Sequence, residues 1–179
     1  MMNKRSFSFK ISFISIIVSL SASSRIVLTI IPNVSLTTPL TILGGMIIGV
    51  SGGFLIGFMS TFISDIYIGF GPWTPMTSLS MGLVGGISGL LGRINDRILL
   101  FLFSYLLTLL YDILSSILTM TLYFGISPFI AIINLFIPVF IGGIPYPMGL
   151  IHELSTALIV VSIYKPLCSL PHIKVVGSG

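Results

Sequence analysis

Charge is what this sequence has least of. Its 179 residues include 8 Lys or Arg and 4 Asp or Glu, so only 7% are charged. A soluble domain carries about a quarter charged residues. Such a chain cannot cover a water-facing surface, and with 55% hydrophobic residues and a mean hydropathy of +1.17 it is read as an integral membrane protein. The single cysteine, Cys168, excludes an internal disulfide. Also missing are an ATP-binding P-loop, a dinucleotide fingerprint, an HExxH pair and any metal-spaced Cys/His cluster. The chain therefore has no energy-coupling domain of its own, and no cofactor or metal is expected. No serine or cysteine nucleophile motif is present, which speaks against an enzyme. The net charge of +4 reads as an orientation signal at a lipid bilayer, not as a nucleic-acid signal.

What is there is a series of apolar runs. At ~20 residues per helix the length allows roughly five to seven spans and no large soluble domain, so residues 1–179 are expected to form one membrane domain. The basic start and apolar stretch of residues 1–24 resemble a signal peptide. The apolar run resumes through "IVLTII", however, and residues 11–31 are better read as a first span. "PNVSLTTP" (32–39) is expected to be a loop. The next apolar block, 40–70, is divided at "SGG" (51–53) into spans 40–50 and 54–70. Further spans are expected at 75–92, 98–122 and 148–164, with the charged loop "RINDR" at 93–97. The segment 126–144 is long enough to cross, but Pro128, Pro138, Pro145 and Pro147 punctuate this region, and it is read as an outer cap or re-entrant piece. The fold class is thus all-α, with six transmembrane helices and both termini cytoplasmic. This count places Lys4, Arg5, Lys10, Arg93, Arg97, Lys165 and Lys174 inside, seven of the eight basic residues. The outer side is then the loop-rich one, and a binding site is expected there.

Two stripes of small residues stand out. Gly45, Gly49, Gly53 and Gly57 recur every four residues, as do the pairs Gly82/Gly86 and Gly85/Gly89. This spacing lets helix backbones approach closely in lipid. In the first span Ser8, Ser12, Ser15, Ser19 and Ser23 share one helical face, which Ala22 is expected to join. Arg25 lies about 200° around the helix from Ser23. If Arg25 faces the bundle, Ser15, Ser19 and Ser23 face outward, towards a partner subunit.

Ionisable side chains within spans are costly and usually functional. Arg25, Asp65, Asp112, His152 and Glu153 are the candidates, and all but Asp112 fall in the outer half of the spans. Their convergence suggests a polar pocket beneath the outer surface. Arg25 is open to pairing with Asp65 or Glu153, or to contact with a ligand; Asp65 favours the structural role. Trp73, the only tryptophan, stands in the rigid turn "GFGPWTP" and offers an aromatic wall or an interfacial anchor. Asn33 and Asn134 are candidate amide contacts. A small proton-coupled secondary transporter would use the same acids as relays, and it is the alternative reading of these residues.

The stretch from "PNVSLTTPLTILGG" through "GFGPWTPMTSLSMGLVGGISGLLGR", with the Arg-bearing span before it, resembles the substrate-binding S component of energy-coupling-factor (ECF) transporters. "IPYPMGLIHELSTALI" resembles the stretch that opens that family's last span. The resemblance runs from about Arg25 to residue 163. It implies a six-helix protein of the prokaryotic plasma membrane that captures a vitamin-like micronutrient from outside. It also implies docking to a transmembrane coupling subunit and two ATPases, which bind the ATP. The family's first helix usually meets the coupling subunit through "AxxxA"; here that face reads Ser15, Ser19, Ser23. Where family members carry an acidic residue and an asparagine beside the last-span histidine, this chain has Gly149 and Thr156. The resemblance therefore leaves the substrate open. It places the substrate among Arg25, Asn33, Trp73, Asp112, Asn134, His152 and Glu153.

Overall fold

A computed structural model describes residues 4–30, 34–91, 94–141, 144–146 and 148–169. The described chain is helical apart from a short hairpin. Helix α1 spans Lys4–Val27 and runs into a 3-10 turn at Leu28–Ile30; α2 is Thr37–Ile48, α3 Val50–Ile68, α4 Trp73–Ser88 and α5 Arg97–Phe124. After α6 (Pro128–Phe136) come strands β1 (Val139–Ile141) and β2 (Ile144–Tyr146), then α7 (Met148–Cys168). The strands pair antiparallel, Val139 opposite Tyr146.

Four helical stretches are long and apolar enough to cross a membrane: Ser8–Ile30, Val50–Ile68, Arg97–Phe124 and Gly149–Cys168. At 1.5 Å per residue, α2 is about 18 Å long and α4 about 24 Å, short of a hydrocarbon core of about 30 Å. The segment expected as a cap is ordered rather than irregular, because Pro128 opens α6 from its first turn, where a missing N–H costs nothing. With nine residues, α6 reaches about 14 Å, too short to span by itself.

The break between the second and third helices falls at Gly49, not at "SGG". Gly49 has φ 94°, a conformation that side-chain-bearing residues rarely adopt. Ser51, Gly52 and Gly53 instead belong to α3. Helix α2 begins at Thr37, inside the expected loop, and α4 begins at Trp73 with Pro75 in its first turn.

The glycine ladders bring α2, α3 and α4 together. A Cβ on Gly53 would stand 2.0 Å from the Gly85 carbonyl oxygen and 2.7 Å from Gly45 Cα; one on Gly57 would stand 2.3 Å from the Met81 oxygen. Backbones touch here, so the ladders serve contacts within the chain. Every residue of α2 is buried, and α2 packs on α1, α3, α4, α5 and α7. An apolar core of Ile42, Leu43 and Met46 with Val84, Leu100, Leu107, Val160 and Tyr164 fills the bundle below α2's first turn. The Tyr164 hydroxyl accepts the Ile94 N–H at 3.0 Å, tying the end of α7 to the loop before α5. That loop ends in Asp96, whose carboxylate caps α5 by accepting the Ile98 N–H at 2.7 Å.

On α1 the serines 8, 12, 15, 19 and 23 are all exposed, as expected. Ala22 departs from the expectation: it is buried with Val18 and Ser21. The buried face and the serine face are about 120° apart, so they adjoin rather than oppose each other, and Ala22 lies where they meet.

The backbone contacts predict unequal outcomes for two neighbouring substitutions. Gly53→Ala should lower the thermal unfolding midpoint in detergent, by the equivalent of at least ~1–3 kcal/mol of overpacking. Gly86→Ala, whose nearest neighbour would lie 3.7 Å away, should leave the midpoint unchanged or raise it slightly through better helix propensity. Equal behaviour of the two would contradict the packing described.

Candidate functional site

Two polar clusters mark the end of the bundle where α1 ends and α4 and α7 begin. In the first, Arg25 near the C-terminus of α1 reaches α3. Its Nη1 donates to Asp65 Oδ1 at 2.5 Å, to Ser64 Oγ at 2.6 Å and to the Thr61 carbonyl at 3.3 Å. Asp65 is 2% exposed. The pair resolves the choice left open by the sequence: Arg25 joins Asp65, not Glu153. A cation in the last turn of α1 also complements that helix's dipole.

The second cluster joins three helices. His152 of α7 lies between Asp112 of α5 and Thr38 of α2. Its Nδ1 is 2.9 and 3.0 Å from the two Asp112 oxygens, and its Nε2 is 2.9 Å from Thr38 Oγ1. The carboxylate accepts the Nδ1 proton and so fixes the ring's orientation. Tyr111 meets the imidazole edge-on, ring centroids 5.9 Å apart. The order hydroxyl, imidazole, carboxylate matches a nucleophilic relay, but Thr38 is 1% exposed at the start of α2. The physical effect of the chain is to lock α2, α5 and α7 to one another.

Between the clusters lies a cavity of about 420 Å³, a volume suited to a vitamin-sized molecule. Arg25, Trp73, Asp112 and His152 all line it, so four of the expected site residues come together. Trp73 lies in the wall and stays 42% exposed. Glu153 does not line it: the next residue after His152 points elsewhere, is 1% exposed, and has the Tyr105 hydroxyl as its polar neighbour. Asn134 is exposed on α6 and is not among the lining residues, because the face that α6 buries carries Ala131. Asn33 lies outside the described residues. The sequence reading missed the hydroxyl wall of Thr37, Thr38, Thr77, Ser115, Ser116 and Thr119. The runs "LTTP" and "LSSILTMT" were its only signal. Met81 and Leu135 complete the apolar part. Ser116 Oγ donates to the Ala131 carbonyl at 2.8 Å, holding α6 over α5 at the cavity rim.

The basic residues sit at the other end. Lys10 is on the early turns of α1, Arg97 opens α5 and Lys165 is near the end of α7. The apolar core and the packing of Phe13 and Ile14 with Ile48, Leu167 and Cys168 separate that end from the cavity.

The Arg25–Asp65 pair makes a measurable claim. Arg25→Met should destabilise the protein in detergent by about 3 kcal/mol, since Asp65 is left buried without a cation. Arg25→Met combined with Asp65→Asn should recover much of that loss. Additive losses in the unfolding cycle would mean that the two side chains do not stabilise each other.

A family model described as "ECF-type riboflavin transporter, S component" matches residues 8–169, nearly the whole chain. No curated protein and no solved structure gives a significant match. The family match agrees with the apolar helices and with the resemblance carried by "GPWTP" and the last span. This multi-pass membrane protein belongs to the family of ECF transporter S components, the substrate-binding subunits of vitamin importers.

Proposed function

We propose that the chain captures a vitamin-like micronutrient at the outer face of a prokaryotic plasma membrane and delivers it to a separate coupling subunit driven by two ATPases. The observation that carries this reading is the position of the cavity. It opens at the end of the bundle away from Lys10, Arg97 and Lys165, and basic residues stay on the cytoplasmic side. Both termini are then inside and the helices α1, α2, α3, α4, α5 and α7 make six crossings of one domain. The shortness of α2 suits this count, because a helix buried on all sides need not match the lipid thickness itself.

Arg25, Trp73, Asp112 and His152 are the residues assigned to the substrate. Arg25 supplies donors, Trp73 a stacking wall, and the Asp112–His152 pair a fixed polar floor. Glu153 and Asn134 act at most indirectly, by packing and at the rim. ATP is bound by partners, which fits a chain without a P-loop. The exposed serine face of α1, Ser15, Ser19 and Ser23, is the assigned contact with the coupling subunit, since lipid makes no demand for small residues. The family's description names riboflavin, and the cavity volume accommodates a molecule of that size.

Two experiments test this reading. Ser19→Leu should abolish co-purification with a coupling subunit and its ATPases while leaving the isolated protein folded; unimpaired capture would move the interface elsewhere. Trp73→Ala should weaken binding of a vitamin ligand roughly tenfold, as expected for a lost aromatic contact, without changing the unfolding midpoint. Unchanged affinity would remove Trp73 from the site.

A further inference from the structure

The hydroxyl groups around the cavity are not interchangeable donors and acceptors. Each has one hydrogen and two lone pairs, and most of the hydrogens are already used. Thr37 Oγ1 donates to the Ser21 carbonyl at 3.1 Å, and Ser116 Oγ to that of Ala131 at 2.8 Å. Ser115 Oγ donates to the Asp112 carbonyl at 3.2 Å, and Thr77 Oγ1 to those of Trp73 and Thr74 at 3.1 and 3.2 Å. With a neutral His152 ring held through Nδ1 by Asp112, Nε2 takes the hydrogen of Thr38 as well. All five residues line the cavity. What they can offer a ligand is lone pairs, and the Asp112 carboxylate adds more.

The charges are matched in the same economical way. Arg25 is neutralised by Asp65, yet only its Nη1 is engaged there, so Nε and Nη2 remain as donors on the α1 side. Among the described residues that line the cavity there is no cation without a carboxylate partner.

We infer that the site selects an uncharged, hydroxyl-rich ligand. A chain of hydroxyl or N–H donors lies along the acceptor wall of α2, α4 and α5, and a carbonyl faces the free edge of Arg25. This specificity rests on the capture role proposed above and deepens it. A phosphorylated or carboxylated relative of the ligand meets the lone-pair wall with more acceptors and finds no free positive charge. An aromatic ligand without the hydroxyl chain leaves the wall's acceptors without donors, each costing up to the worth of a hydrogen bond.

The flavin ring system provides matched probes, because its fluorescence reports binding directly. Purified protein would be titrated with riboflavin, with lumiflavin, which has the ring but no polyol, and with riboflavin 5′-phosphate, which adds a phosphate to the polyol. Riboflavin should bind at least tenfold more tightly than either. The variant Thr77→Val/Ser115→Ala removes two acceptors whose bonds lie within their own helices. It should weaken riboflavin roughly tenfold and leave lumiflavin unchanged. Lumiflavin or the phosphate binding as tightly as riboflavin would overturn the proposed selectivity alone, as would an equal loss for both flavins in the variant. Binding of none of the three, by protein that remains folded, would overturn the selectivity together with the assignment of this cavity to a flavin-type vitamin.

Discussion

The Asp112–His152–Thr38 chain and the Arg25–Asp65 pair fasten five helices at one level of the bundle. In water such contacts would be worth little. In hydrocarbon the alternative is a polar group with no partner, which costs several kcal/mol, so the pairs fix which helix faces touch. Arg25 and Asp65 join α1 to α3, and His152 joins α7 to α5 and α2. The cavity is the space these contacts leave between them, and its polar residues are the same ones that hold it open.

Packing below that level follows from a second property of lipid. Exposed leucines and phenylalanines are at no disadvantage there, so close backbone contact replaces hydrophobic burial as the attraction between helices. The glycines at 45, 53, 57 and 85 let α2 sink into the middle of the bundle. Its first turn then carries Thr37 and Thr38 to the cavity floor, while Ile42, Leu43 and Met46 close the path towards the basic end. The serine face of α1 stays outside this core, adjoining the face that carries Arg25. One helix thus borders both the candidate substrate site and the surface assigned to a partner.

The membrane class, the glycine contacts, the outward serine face and the grouping of Arg25, Trp73, Asp112 and His152 were all legible in the sequence. Each follows from a cost that lipid imposes on a residue type. Three features were not legible. The break at Gly49 depends on which glycine takes a positive φ and which ones serve close approach, and both uses look alike in sequence. The choice of Asp65 over Glu153 as the partner of Arg25 depends on the rotation of α7, which turns His152 to the cavity and Glu153 away from it. The hydroxyl wall was invisible because serine and threonine occur throughout the chain, and in any membrane helix they can return their hydrogen to a carbonyl one turn back. Only their placement around one space separates Thr77 or Ser115 from Ser162, which bonds the Leu158 carbonyl in the same way on an exposed face.

The account depends most on the cavity and the basic end lying on opposite sides of the membrane. Cys168, the single cysteine, stands at the basic end, and Thr77 lines the cavity. Labelling of intact cells with a membrane-impermeant maleimide compares the native protein with a Thr77→Cys/Cys168→Ser variant. The account predicts that the cysteine at position 77 reacts in intact cells and that Cys168 reacts only after the membrane is opened. Reaction of Cys168 from outside, or of both positions from the same side, would contradict it.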